Sequence, residues 1–274
     1  MKWTPEAQAA VGKVPFFIRP RVRKKVEEEA TRQNAKVVTM SHVKACQQQY
    51  LNRMEEEVKG YQVETCFGPS GCPNRIGASV ELVQSLEEEL KSRNLKAFLK
   101  ERVSGQLKFH HEFRVVLSDC PNACSRPHIA DIGIIGASKP GSVKEHLCTR
   151  CGNCEEVCQE SAIRMNTAVP IIDRQRCVTC GQCIQVCSPG ALFDCKRGYR
   201  IMLGGKLGRH PRLATELPGI FTEQDVVLLV KRCLDHYQRY CLHGERFGEV
   251  LERTGTEELL VPEDNDYSAA GGAV

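Results

Sequence analysis

Apolar positions along this chain fall into two rhythms. From Ser79 to Val103, SVELVQSLEEELKSRNLKAFLKERV sets leucines and valines three and four residues apart, which predicts a helix with one buried face. Residues 108–118, KFHHEFRVVLS, alternate and predict a strand that carries the His110-His111 pair and leads into Cys120. The apolar run DIGIIG follows at 131–136, and GYRIML at 198–203 predicts a strand that enters the Gly204-Gly205 turn. Thr222 and Asp225 stand in capping-box register before an amphipathic helix that runs to about Tyr240. GERFGEVLERTG, 244–255, closes the region. Near the N-terminus Thr4-Pro5-Glu6 is a helix start, and a second helix is predicted from about Arg19. Residues 256–274 are acidic and rich in small side chains, and read as a disordered tail. The mixture predicts an α+β fold.

Composition narrows the class. Of 274 residues, 41% are hydrophobic and 26% charged, as in an ordinary globular chain. A net charge of +4 is too mild to argue for nucleic acid as a partner. No apolar stretch approaches the roughly 20 residues that span a bilayer. MKWTPEAQAA lacks the apolar core of a signal peptide, so the expected compartment is the cytoplasm. There the sixteen cysteines would not persist as disulfides. Twelve of them fall into three regular groups, which points to metal centres.

Residues 148–158, CTRCGNCEEVC, and 177–187, CVTCGQCIQVC, are both C-x2-C-x2-C-x3-C and repeat with a period of 29. Two such runs are the signature of a bacterial-type ferredoxin with two [4Fe-4S] clusters, in which each run lends its fourth cysteine to the other cluster. That rule gives Cys148, Cys151, Cys154 and Cys187 to one cluster, and Cys177, Cys180, Cys183 and Cys158 to the other. Gly152 and Gly181 let the loops wrap closely. A structural zinc site is the alternative, but it prefers two separated cysteine pairs. The second run ends Cys187-Ser188-Pro189, with its proline one place late, and the first has none.

A third group lies upstream. TCFGPSGCPNR holds Cys66 and Cys72, five residues apart and joined by the turn Gly68-Pro69-Ser70-Gly71. SDCPNAC holds Cys120 and Cys124, three apart. The full pattern, with CPNAC and the trailing DIGIIG, resembles the cluster-binding half of siroheme-dependent sulfite and nitrite reductases. The ferredoxin insert directly after it resembles the anaerobic and dissimilatory sulfite reductases. The resemblance implies that Cys66, Cys72, Cys120 and Cys124 hold a [4Fe-4S] cluster, and that Cys124 also ligates the siroheme iron. It further implies that the segment GYRIMLGGKLGRHPRLATEL returns to the siroheme. Lys206, Arg209 and Arg212 would then pair its carboxylates; a solvated basic loop is the alternative reading.

Only about 60 residues precede Cys66, too few for the first half of a complete enzyme of that family. In its place KVPFFIRPRVRKKVE resembles the small helical domain at the end of one subunit of light-independent protochlorophyllide reductase. The resemblance raises Arg19, Arg21, Arg23, Lys24 and Lys25 as ligands of tetrapyrrole carboxylates or an anion, against a solvated basic helix face. Cys46, Cys195, Cys233 and Cys241 have no metal spacing; Cys233 and Cys241 read as small buried hydrophobes. His128 and His210 carry no catalytic assignment.

The expected organisation is a small helical domain over 1–48, a reductase-like part over 60–145 and 196–255, and a ferredoxin domain over 146–195. The expected function is sulfite or nitrite reduction at a siroheme coupled to a [4Fe-4S] cluster, fed through two ferredoxin clusters. Its partners would be an external low-potential electron donor, the small anion itself, and a partner chain or second copy that completes the site. The competing expectation is a siroheme-free electron-transfer subunit with three [4Fe-4S] clusters. A tetrapyrrole-binding protein acting on some other double bond rests on the N-terminal resemblance alone.

Overall fold

The protein is described from a computed structural model, which covers residues 1–77 and 80–260. Its residues form two compact units, Met1–Lys59 with Val103–His110, and Gly60–Arg102 with His111 onward. In the first, β1 (Lys2–Trp3), α1 (Pro5–Gly12), α2 (Arg19–Arg32), β2 (Val37–Val38) and α3 (Met40–Glu57) follow one another. Thr4 caps α1, its hydroxyl accepting the Ala7 N–H, and Pro5 occupies the first turn where its missing N–H is harmless. The parallel pair β1–β2 and the three helices close over Ala7, Val26, Ala30 and Val38, with Trp3 and Met40 packed against them. Sequence periodicity does not announce α3, whose only buried residue is His42.

In the second unit β3 (Tyr61–Thr65), β4 (Phe113–Ser118) and β5 (Ile132–Pro140) are parallel neighbours. Parallel strands need a crossover, and α4 (Val80–Ser92) with α5 (Leu95–Arg102) supplies it between β3 and β4. The helix predicted over 79–103 is therefore two. Asn94 breaks it in the left-handed region at φ 47°, which asparagine tolerates better than most side chains. The leucine face is nonetheless the buried one: Leu82, Leu86, Leu90, Leu95 and Leu99 are all in the core. His110 and His111 do not lie on a strand. They sit in a single 3-10 turn, and β4 starts only at Phe113, the first buried aromatic of the run.

After β5 the chain makes an excursion through α6 (Asn153–Glu156), β6 (Ile163–Met165), β7 (Pro170–Ile172) and α7 (Gln182–Gln185). It returns on β8 (Asp194–Leu203), antiparallel to β5, with Asp194 paired to Pro140 where the excursion began. The 29-residue repeat is written into the backbone. Arg150, Gly152 and Ser161 have positive φ, and so do Thr179, Gly181 and Gly190, each 29 residues later.

β9 (Thr215–Glu216) pairs with β8, and α8 (Glu223–Tyr240), α9 (Phe247–Thr254) and α10 (Glu257–Leu260) follow. The predicted Thr222–Asp225 capping box is present at the start of α8. Phe113 of β4 meets Tyr237 of α8 at 5.2 Å and Phe247 of α9 at 5.3 Å between ring centroids. Beside them Arg246 and the backbone N–H of Arg114 both bond the buried Asp131 carboxylate. Cys233 and Cys241 are buried as expected. The tail predicted as disordered from 256 begins instead with α10, because Leu259 finds a buried position. Residues 261–274 of that tail lie outside the described residues.

Candidate metal centres

Strand direction explains how cysteines far apart in sequence meet. Since β3 and β4 are parallel with Thr65 opposite Leu117, the loops after them leave the same edge of the sheet. Cys66 follows β3 directly and Cys120 lies two residues beyond β4. The Cys66 N–H donates to Leu117 O at 3.1 Å, and the Ile76 N–H donates to Asp119 O at 3.2 Å. The Cys66 sulfur in turn accepts the N–H groups of Gly68 and Asp119, at 3.3 and 3.2 Å. Gly136 of β5 is required here, for a Cβ would stand 2.4 Å from Asp119 O.

Cys120 lies within reach of the other three thiols of this group. Burial pushes the Cys120 thiol up, a hydrogen bond from the Asn122 backbone opposes it, and Cys124, Cys72 and Cys66 add to the rise. Cys124 alone is exposed, and the Asn122 side-chain amide donates to its sulfur at 2.9 Å. The CPNAC motif was legible, but this amide-to-sulfur bond was not.

The two C-x2-C-x2-C-x3-C loops interlock. Burial raises the Cys154 thiol, and among its charged neighbours are Cys151 of its own loop and Cys187 of the other. The Cys183 thiol is pushed up to about 12, first by burial and then by Cys180, Cys177, Cys158 and Cys154. Cys158 and Cys187 accept backbone N–H groups from Ala162 and Leu192, both at 3.3 Å. A cavity of about 310 Å³ is lined by Cys158, Cys177, Cys180 and Cys183, and also by Cys120, Pro121 and Asn122. A smaller hollow is lined by Cys148, Cys151, Cys154 and Cys187, and among the described residues nothing before Val143 lines it.

This donor set fits an iron–sulfur body. Every donor is a thiol, backbone N–H groups point at the sulfurs, and the hollows lie between the thiols. Among the described residues no three Cys, His, Asp or Glu side chains close on one point, as a single ion would require.

The inner loop is fastened to β5. The Ser138 N–H donates to Thr179 O at 2.8 Å, and the added Cβ of Gly181 would meet Ser138 Oγ at 2.6 Å. Gln182 reaches Asn74, beyond Cys72, at 3.1 Å.

Of the three basic residues after β8, two have internal partners. Lys206 Nζ donates to Glu249 at 2.5 Å, and Arg212 donates to Gly248 O at 2.7 Å, so both hold the loop onto α9. Burial raises the Glu249 carboxyl, but Lys206 and the Arg246 N–H outweigh it and leave it below the usual carboxylate range. Arg209 and His210 are exposed at the tip. His128 is half-buried and its carbonyl receives the Ala214 N–H at 2.7 Å, which lays this loop beside the Cys120–Cys124 turn.

In the first unit, Arg19 donates to Gly12 O and Val14 O, closing the end of α1, and Arg23 lies over the Trp3 ring at 4.9 Å. Arg21, Lys24 and Lys25 are exposed.

The family profile described as nitrite and sulphite reductase 4Fe-4S domain matches residues 61–262. The chain belongs to this family. A second profile, the proto-chlorophyllide reductase 57 kD subunit, matches residues 3–47. The coenzyme F420-dependent sulfite reductase of Methanocaldococcus jannaschii is 30% identical over 197 residues, which is 71% of this chain and 29% of that protein. An uncharacterized protein of the same organism is 30% identical over 202 residues, 72% of this chain and 63% of the other. A subunit of the anaerobic sulfite reductase of Salmonella typhimurium is 34% identical over 53 residues, 19% of this chain and 15% of the Salmonella one. Dissimilatory sulfite reductase I shares the fold, with TM-score 0.50, 18% identity, and coverage of 76% of this chain and 56% of that one. The chain thus spans under a third of one relative and under two thirds of the next. It is a sulfite-reductase-like iron–sulfur protein, and among the described residues no helix is long and apolar enough to cross a membrane.

Proposed function

We propose that this chain is the electron-delivering half of a sulfite reductase, or less favourably of a nitrite reductase, with three [4Fe-4S] clusters held by the assigned cysteines. The observation that carries the reading is the parallel pairing of β3 and β4, which brings Cys66 and Cys120 to the same end of the sheet, with Cys72 and Cys124 near enough to act on the Cys120 thiol and Cys124 alone of the four exposed. An outward thiol on an otherwise sheltered group is suited to a second metal, and a siroheme iron would supply the anion-binding, electron-accepting centre there. Asn122 holds the Cys124 sulfur in place through its amide. Arg209 and His210, exposed on the neighbouring loop, are available to carboxylates or to the anion and its protons. Lys206 and Arg212 act instead through the loop they fasten.

The hollows support one order of electron flow. The Cys158, Cys177, Cys180 and Cys183 set shares its cavity with Cys120, which supports it as the inner relay. The Cys148, Cys151, Cys154 and Cys187 set lies outside it, with Cys151 exposed, and would receive electrons from an external low-potential donor. A partner chain or second copy would complete the substrate pocket.

One observation favours the siroheme-free reading: two of the three basic residues expected at the macrocycle already have internal partners. Anaerobic purification with siroheme biosynthesis supplied, followed by absorption spectroscopy and acid-acetone extraction, separates the two. An extractable siroheme close to one per chain supports the reductase; broad iron–sulfur absorption alone refutes it and leaves a relay protein.

A further inference from the structure

One short stretch near the N-terminus is strongly basic. Residues 13–25, KVPFFIRPRVRKK, carry six cations and no acidic residue, against a net charge of +4 for the whole chain. They form the turn between α1 and α2 and the first turns of α2. At the crest Phe16 is 80% exposed, Phe17 71% and Ile18 41%. The two rings meet edge to face at 5.7 Å, and neither is covered by the body of the unit. Large side chains of this kind are ordinarily buried.

Part of this charge stands where the helix disfavours it. No acidic residue lies in the first turn of α2, and Arg21 stands in that turn at a small loss of helix stability. Two cations of the segment have structural work, Arg19 on the carbonyls of Gly12 and Val14 and Arg23 on Trp3. Lys13, Arg21, Lys24 and Lys25 are exposed. Arg21, Lys24 and Lys25 share one helix face by their spacing of three and four, opposite the buried Val26 and Ala30.

We propose that this crest is a contact for an anionic lipid surface. Phe16, Phe17 and Ile18 enter the headgroup layer, while Lys13, Arg21, Lys24 and Lys25 pair with lipid phosphates. Three apolar side chains on a tight turn are too few for the apolar centre of a protein interface, which buries about 800 Å² per partner. They do match the shallow insertion of an interfacial anchor, which combines a short apolar element with a polybasic one. The inference is independent of siroheme and of the anion reduced. It puts the chain against a membrane surface through an interfacial contact, with no helix among the described residues long and apolar enough to span it.

The test is co-sedimentation of the full chain, purified anaerobically with its iron–sulfur centres, on phosphatidylglycerol-rich vesicles and on pure phosphatidylcholine vesicles. The chain should sediment with the first and not the second, and raised salt should release it. Arg21→Gln with Lys24→Gln should weaken partition by about 25-fold, taking each cation as worth about fivefold. Phe16→Ser with Phe17→Ser should weaken it by about tenfold or more at unchanged circular dichroism. Absence of binding to the anionic vesicles overturns the proposal, as does equal binding to both kinds. So does anionic binding that the phenylalanine pair does not alter, which would leave a merely basic surface suited to an acidic protein.

Discussion

Arg246 offers the sharpest test of how the reductase-like unit is held. Its guanidinium bonds the Asp131 carboxylate, whose side chain is 1% exposed, while the arginine side is 20% exposed. The same carboxylate takes the Arg114 N–H at 2.9 Å, and Arg246 caps α9, the helix that fastens the Lys206–Arg212 loop. Replacing Arg246 with Met strands a buried charge. Breaking such a pair costs about 3–5 kcal/mol, and partial exposure of the arginine favours the lower end. About 3 kcal/mol corresponds to roughly 6–12 °C in Tm for a unit of this size. Differential scanning fluorimetry and urea titration of Arg246→Met should read that loss. Adding Asp131→Asn should recover a good part of it, since the stranded charge is gone and an oxygen remains for Arg114. A loss below about 1 kcal/mol, or a double variant no better than the single one, refutes the account.

Three other perturbations follow from the site. Asn122→Ala removes the amide from Cys124; with about 1 kcal/mol more stabilisation of the reduced cluster lost, one midpoint potential should fall by about 40 mV in an EPR-monitored titration. An unmoved potential would take Asn122 out of the site. Gly136→Val drives side-chain atoms into the Asp119 carbonyl, so it should lower Tm and reduce iron bound to the Cys66 group before that of the ferredoxin loops. His236 is held neutral chiefly by burial, against the pull of Glu258, and it bonds Thr254 at 2.7 Å. Its folded pKa is lowered, so its stabilisation is complete above the unfolded value near 6.5 and is lost as pH falls through the folded one. Amide protection factors in α9 and α10, taken against the intrinsic exchange rate at each pH, should therefore fall on acidification through that window, and His236→Gln should flatten the dependence.

Much of this was readable because the signals are local and periodic. The 29-residue repeat, the leucine face of α4 and α5, and the Thr222–Asp225 box each lie within a short window. What escaped depends on contacts far apart in sequence. Lys206 and Arg212 look like free cations until Glu249 and Gly248 are folded beneath them. His110 and His111 alternate like strand residues, but the sheet begins only where Phe113 meets Tyr237. Leu259 lies in a segment whose composition argues for disorder, but its burial and the contacts of Glu258 with His236 and Tyr240 hold the first turn on α8. In α3 the buried stripe is too thin for periodicity to reveal.

The pairing of Pro140 with Asp194 has a consequence for how such a chain came to be and how it can be rebuilt. The segment 141–193 leaves and re-enters through adjacent positions of one antiparallel ladder, so topologically it is a hairpin loop that carries both four-cysteine runs. Its ends stand as close as those of any tight turn, and the sheet needs only a short linker to remain closed. A gene fusion could insert this cassette, or a deletion remove it, without re-threading the host. A foreign two-cluster module with neighbouring termini could be spliced at the same point. The constraint on such a graft is the facing surface of Ser138 and Thr179, where cassette and host must fit.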